Sequence, residues 1–168
     1  FGMSVTEKWD AIPIHHVVDI KNPSLIYFNE SDAIGDCLDT LTAKSILCAP
    51  VLNDKNHCVG LLDKADICAY ASKFCLPGKK FSFGESAWKG AVFKAHSIKD
   101  ILDYSKHNIA IHVNANGTLA DAIHKMGLAV RRVVLDDDEG RCIRLLTQTD
   151  VLKYLSSHIH LFGSKITG

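Results

Sequence analysis

The stretch "TQTD", residues 147–150, places two hydroxyls and a carboxylate within four positions. An apolar run, "CIRLL" (142–146), gives way there to a helical pattern, "VLKYLSSHI". A helix N-terminus presents unpaired backbone N–H groups and the positive end of a dipole, a ready site for an anion. Thr147 and Thr149 are two apart, so on an extended segment their hydroxyls point the same way. Each can donate to a phosphate oxygen. Asp150 only accepts, so it repels phosphate and suits a ribose diol, which has two donors. Arg131 and Arg132 open the neighbouring apolar strand, and a guanidinium fork matches phosphate geometry. Adjacent strand residues point to opposite faces, so one of the two is expected to meet a given phosphate. Each part also has a plainer reading. A Thr or Asp before a helix is common N-cap chemistry, and a basic pair can be a solvated strand end.

The elements around this stretch occur twice. In the first copy "SLIYF" (24–28) reads as a strand, with Ser31 or Asp32 as N-cap of the helix after it. That helix carries Ile34, Cys37, Leu38 and Leu41 at helical spacing. "CAPVL" and "CVGLL" then form strands around the turn "NDKNH", and a helix starts near Ala65-Asp66. In the second copy "NIAIHV" (108–113) is the strand, and Thr118 with Asp121 has the spacing of a capping box. "LADAIHKM" puts Leu119, Ala122, Ile123 and Met126 on one face, and "RRVVL" and "CIRLL" flank the acidic turn "DDDEG". Asp36 to Asp121, Pro50 to Val133 and Asp66 to Asp150 are offset by 85, 83 and 84 residues. The expected fold is mixed α/β (α+β), two β-α-β-β-α repeats packed about a pseudo-twofold axis. The expected boundaries are 15–74 and 97–160, with a linker over 75–96 broken by Pro77, Gly78, Gly84 and Gly90. The linker's Phe81, Phe83, Trp88 and Phe93 suggest that it packs back on the repeats.

This order of elements resembles the CBS domain, and the tandem pair resembles a Bateman module. The residues carrying the resemblance are "CAPVLND…CVGLLDKADI" and "AVRRVVLDDDEGRCIRLLTQTDVL". The second copy looks most like the nucleotide-binding repeats of the AMP-activated protein kinase gamma subunit. That subunit has four repeats, and this chain has two. The resemblance implies Asp150 on a ribose, and Thr147, Thr149, Arg131 and Arg132 on phosphate. It also implies adenine against Ile26, Ile46 and Leu47 of the first copy and Leu145 of the second. It further implies a homodimer. One departure stands out: Arg144 occupies the place that Gly60 holds in the first copy, where it could block the cleft or add a phosphate contact.

In the first copy the hydroxyl positions are Asp63 and Ala65, and only Asp66 is kept. Either Leu47 or Cys48 stands where the second copy has Arg131, depending on the gap. Two like charges ~4 Å apart repel by ~1 to 4 kcal/mol at effective dielectrics of 80 to 20. That is ~10- to ~1000-fold in affinity. The first cleft is therefore expected to be empty or to hold an uncharged nucleoside.

Nineteen basic residues balance nineteen acidic ones in a chain of 168. Zero net charge gives no general attraction to nucleic acid or anionic membrane. No apolar run reaches the ~20 residues needed to span a bilayer, and no basic flank with an apolar core marks a signal peptide. The six cysteines form no C-x-x-C pair, and the histidines lie at no recognised metal-ligand spacing. There is no G-x-S-x-G and no Walker motif. The expectation is thus a non-enzymatic regulatory module without metal or cofactor, cytoplasmic or nuclear. It would bind an adenine nucleotide, AMP or ADP before ATP, and signal to a kinase or other effector. The alternatives are a ligand-free scaffold for dimerisation or protein interaction and, more weakly, an anionic ligand at the arginines.

Overall fold

The computed structural model describes residues 11–21, 24–72, 96–106, 109–127 and 130–159. They fall into two compact units, one made by Ile26–Ala110 and the other by residues up to Leu25 and from Ile111 on. The first unit runs β1 (Phe28–Asn29), α1 (Ile34–Ala43), β2 (Cys48–Leu52), β3 (Cys58–Asp63) and α2 (Lys64–Ser72). The second runs β4 (His112–Asn114), α3 (Leu119–Met126), β5 (Arg132–Asp136), β6 (Cys142–Thr147) and α4 (Gln148–Ser157). Each has a three-stranded sheet, ordered β1-β2-β3 and β4-β5-β6. The first strand runs parallel to the second, and the second and third form an antiparallel hairpin.

The hairpins follow from their turns. Asn53 Oδ1 accepts from the N–H groups of Lys55 and His57, the Asx turn that Asn favours between strands. Asp137 Oδ1 does the same for Glu139 and Arg141, and Gly140 takes φ 78°, where a Cβ would be strained. Ala49, Val51 and Leu62 form the first core with Ile34, Cys37 and Leu41 of α1 and Ile67 of α2. Val133, Leu135 and Leu146 form the second with Leu119, Ala122 and Met126 of α3 and Val151 of α4. Leu38 and Ile123, expected on these faces, are half-buried.

The pairing register fixes the correspondence of the copies. Cys48 pairs Asp63 and Arg132 pairs Thr147, so Cys48 matches Arg132 and Leu47 matches Arg131. Pro50 therefore matches Val134, one residue later than the sequence offset placed it.

Three sequence expectations change. The first strand is Phe28–Asn29 and not 24–28, and the fourth is His112–Asn114, which starts later than the expected 108–113 and ends one residue beyond it. In the second unit Val134 N–H donates to the Ile111 carbonyl at 2.8 Å. Its counterpart Pro50 has no N–H to give, so nothing extends the β1 ladder back toward Ile26. The N-cap of α1 is Ala33, with no side-chain cap bond, rather than Ser31 or Asp32. The Asp32 carboxylate turns back to accept from Asn29 N–H at 2.8 Å. The Thr118–Asp121 capping box does form on α3. Phe81, Phe83, Trp88 and Phe93 lie outside the described residues.

A short lead-in completes each unit. Ser97 and Asp100 box a 3-10 turn at Ile98–Asp100, which buries Ile98 and Ile101 in the first core. A second 3-10 turn, Ile14–His16, buries Ile14 in the second core, where Ile14 N–H donates to Gly117 and Leu119 N–H to Ile12.

Candidate functional site

At the β6–α4 junction Thr147 ends the strand and caps the helix. Its hydroxyl oxygen accepts from Asp150 N–H at 3.2 Å. Asp150 Oδ2 accepts in turn from Thr147 N–H at 3.0 Å and from the Thr147 hydroxyl at 2.7 Å. Thr147 N–H and Asp150 N–H, two donors that would be left over at a strand–helix joint, are thus satisfied reciprocally. Asp150 is half-buried and, among the described residues, bonds only inside this cap.

Thr149 does not lie on an extended segment as expected. Helix α4 begins at Gln148, so Thr149 is in its first turn, and its side chain is exposed. The two hydroxyls are therefore not aligned by strand alternation. Thr147 spends its proton on Asp150, whereas Thr149 presents its hydroxyl at the helix end. A carboxylate has about four lone-pair positions, so the capping bonds still leave Asp150 acceptor capacity.

The two arginines separate as strand geometry requires. Arg132 is directly opposite Thr147 across the β5–β6 ladder, which puts both side chains on one face of the sheet. Arg131 precedes the strand; it is exposed, and its carbonyl accepts from Gln148 N–H at 3.0 Å. Leu145 pairs Val134 and shares the face of Thr147, whereas Val133, Leu135 and Leu146 point into the helix-covered core.

Arg144 pairs Leu135, a core-facing residue, and so lies on the sheet face opposite Thr147. Its guanidinium donates to the Asp19 carbonyl at 3.0 Å. It is neither a blockade nor a phosphate contact on the Thr147 face. It ties the lead-in segment to the sheet.

Ile26, Ile46 and Leu47 belong to the other compact unit. Ile26 is half-buried, Ile46 packs on the first core, and Leu47 is exposed, its carbonyl accepting from Lys64 N–H at 3.0 Å.

The matching junction of the first unit has a different occupant. Asp66 is 0 % exposed. Its Oδ2 accepts from Asp63 N–H at 3.0 Å and its Oδ1 from Ser105 N–H at 2.9 Å, across 39 residues of chain. Asp63 Oδ1 accepts from Ala65 N–H at 2.9 Å. The Asp66–Ser105 bond had no sequence signal, because nothing local ties residue 105 to residue 66.

Among the described residues no three His, Cys, Asp or Glu side chains come together as a metal cluster, and no helix is long and apolar enough to cross a membrane. Between α3 and α4 of the second unit runs a groove of about 770 Å³, lined by Ile123, Met126, Val151, Leu152 and Leu155. Its Leu152 is 64 % exposed.

The CBS-domain family model matches residues 17–73 and 98–157. No curated protein matches the sequence. Among solved structures, CbpB in complex with c-di-AMP is 19 % identical at a TM-score of 0.65, covering 94 % of this chain and 93 % of its own. CBSX2 of Arabidopsis thaliana in complex with AMP is 19 % identical at 0.62, covering 88 % and 98 %. A Methanocaldococcus jannaschii protein, described as a candidate archaeal homologue of the AMP-activated kinase gamma subunit, is 19 % identical at 0.67. The match covers 87 % of this chain and 50 % of that one.

Proposed function

The chain belongs to the CBS-domain family, and on that premise we propose that it is a regulatory module binding one adenine nucleotide, AMP or ADP before ATP, at its second repeat. The observation that carries the reading is the Thr147–Asp150 cap with Arg132 directly opposite Thr147 on the same sheet face. Asp150 accepts the ribose diol through its remaining lone pairs. Arg132 and Arg131 carry the phosphate charge, with the exposed Thr149 hydroxyl and the α4 N-terminus beside them. Thr147 holds Asp150 and reaches phosphate only by turning its proton away from the carboxylate. Leu145 is an apolar contact for the base, and Ile26, Ile46 and Leu47 stay in the proposal on the family resemblance alone. CbpB and CBSX2, in complexes with c-di-AMP and AMP, are consistent with an adenine ligand in this family. The module is read as a sensor without catalysis of its own. Ligand biases its conformational equilibrium by its differential affinity, and an effector protein reads the state. No disulfide joins the described cysteines, which favours a reducing compartment, cytoplasm or nucleus.

Calorimetric titration with AMP, ADP, ATP, c-di-AMP and adenosine, on wild type and Asp150→Ala, tests this. Heat with at least one adenine nucleotide that Asp150→Ala abolishes is the expected result. Absence of heat with all five sinks the sensor reading.

The alternative is a ligand-free scaffold, favoured by the apolar groove between α3 and α4. On that reading a second copy covers Leu152. Sedimentation of Leu152→Glu would then show a dimer weakened to monomer, and the absence of heat with all five adenine compounds would separate this scaffold from a sensor that is itself a homodimer.

A further inference from the structure

We infer that the first repeat carries its own substitute for a ligand: residues 96–106 form a strap whose Ser105 amide occupies the carboxylate that would otherwise hold a ribose. The inference rests on the proposed role of Asp150, whose counterpart is Asp66, and it explains which of two equivalent junctions stays open. Charge alone would exclude only a phosphate from Asp63 and Asp66. The strap excludes an uncharged nucleoside as well.

The strap is seated along its whole length. The His96 carbonyl accepts from Ile34 N–H at 3.2 Å, Ile98 N–H donates to the Asp32 carbonyl at 3.0 Å, and Lys99 N–H donates to the Glu30 carbonyl at 3.1 Å. Ile98 and Ile101 are fully buried in the first core. Leu102 lies over Gly60 so closely that a Cβ there would come within 2.7 Å of a Leu102 methyl. Tyr104 meets Tyr70 of α2 edge to face, with ring centroids 5.7 Å apart. Asp103 takes φ 52°, a left-handed conformation that Asp adopts more readily than most residues. Two residues later the Ser105 N–H reaches Asp66 Oδ1. With Oδ2 held by Asp63 N–H and the carboxylate sealed from water, a ribose could bond Asp66 only by displacing the strap and stranding a buried donor.

The second unit keeps the buried lead-in, with Ile14 in the core as Ile98 is, but not the contacts that close the junction. The register puts Arg144 at the Gly60 position, so a side chain fills the place that Leu102 enters in the first unit. Arg144 holds the lead-in by the Asp19 carbonyl instead. Lys21, 84 positions before Ser105, turns its amide to Asp19 Oδ1 at 2.9 Å and not to Asp150. Asp150 is left half-buried and bonded only within its cap, among the described residues. The same frame thus gives one closed junction and one open one.

Amide exchange of the wild-type chain, followed by NMR, tests the strap without a variant. Lys55 is the control, since its N–H is also held by a side-chain oxygen at 2.9 Å but in an exposed turn. Ser105 is expected to exchange at least about 100-fold more slowly than Lys55, because exchange requires opening a packed segment. Saturating AMP or adenosine is expected to leave the Ser105 and Asp63 resonances in place while those of Thr149 and Asp150 move. Ser105 exchanging as fast as Lys55 would overturn the strap, as would adenosine shifting Ser105 with two equivalents bound per chain. If neither ligand moves any resonance, the nucleotide reading fails, and the exchange rate alone decides the strap.

Discussion

Thr147→Ala separates the two roles that the β6–α4 junction combines. The substitution deletes the hydroxyl that accepts from Asp150 N–H and donates to Asp150 Oδ2 at 2.7 Å. Losing an N-cap Thr costs about 1 kcal/mol, within roughly 0.5 to 2. The short bond to a charged acceptor places this position in the upper half of that range, about 1.5 kcal/mol. Thr118 on α3 supplies the matched control. It makes the same box with Asp121 but with a longer hydroxyl–carboxylate contact, 3.0 Å, so Thr118→Ala should cost about 1 kcal/mol. At about 2 to 4 °C per kcal/mol for a chain of this size, the melting temperature should fall about 3 to 6 °C for Thr147→Ala and about 2 to 4 °C for Thr118→Ala. Scanning fluorimetry without ligand reads these losses, and titration with AMP reads the rest. Thr147→Ala should weaken AMP about 10-fold, since Asp150 loses the partner that aims it, a difference of ~1.4 kcal/mol. Thr118→Ala should not weaken it, and Thr147→Ser should restore both quantities. Equal melting losses with unchanged AMP affinity in both alanine variants would reduce Thr147 to a helix cap and remove it from the site.

Further outcomes follow from the same geometry. Arg132→Ala should lower AMP affinity by about 10-fold or more, the loss of a hydrogen bond to a charged group being worth about 1.5 to 3 kcal/mol, while adenosine affinity measured alongside stays constant. Gly60→Ala should destabilise the chain by up to ~1 to 3 kcal/mol through overpacking against Leu102, and urea melts of Gly60→Ala/Leu102→Ala should show that the two losses do not add. Burial, then the carboxylates of Asp32 and Asp36, push the Cys37 thiol from its ordinary 9.0 up to about 12. The unfolded thiol therefore sheds its proton first, and Cys37 contributes stability that is present below pH 9.0 and lost as pH rises toward about 12. Denaturant melts across that range should show a decline that Cys37→Ala lessens. At pH 8 a maleimide should label the exposed Cys68 while the folded Cys37 stays unmodified.

The paired hairpins and the helices after them were legible because continuous apolar runs, Asn or Gly turns and helical spacing all agreed over residues 48–72 and 132–157. The edge strands were overread: residues 24–27 have strand composition, but a strand needs a partner's N–H, and Pro50 withholds it. The N-cap of α1 was misplaced because Asp32 spends its carboxylate on Asn29, a choice its residue type does not reveal. Within the junction the residue types suggested phosphate and ribose chemistry, but not that the strand ends at Thr147 and the helix begins at Gln148, which changes what Thr147 and Thr149 each offer. Whether Leu47 or Cys48 answers to Arg131 required the ladder register. Arg144 could be read from sequence only as an unusual residue at a glycine position, and its bond to Asp19 spans 125 positions. The Asp66–Ser105 bond is of the same kind, since long-range contacts to backbone amides leave no mark on residue type.

A structure determined with AMP bound locates the nucleotide outright. One nucleotide per chain is expected, its ribose hydroxyls on the Asp150 carboxylate and its phosphate against Arg132 and Thr149, with Ser105 still bonded to Asp66. A nucleotide seated at Asp66, or one that leaves Asp150 untouched, would contradict it.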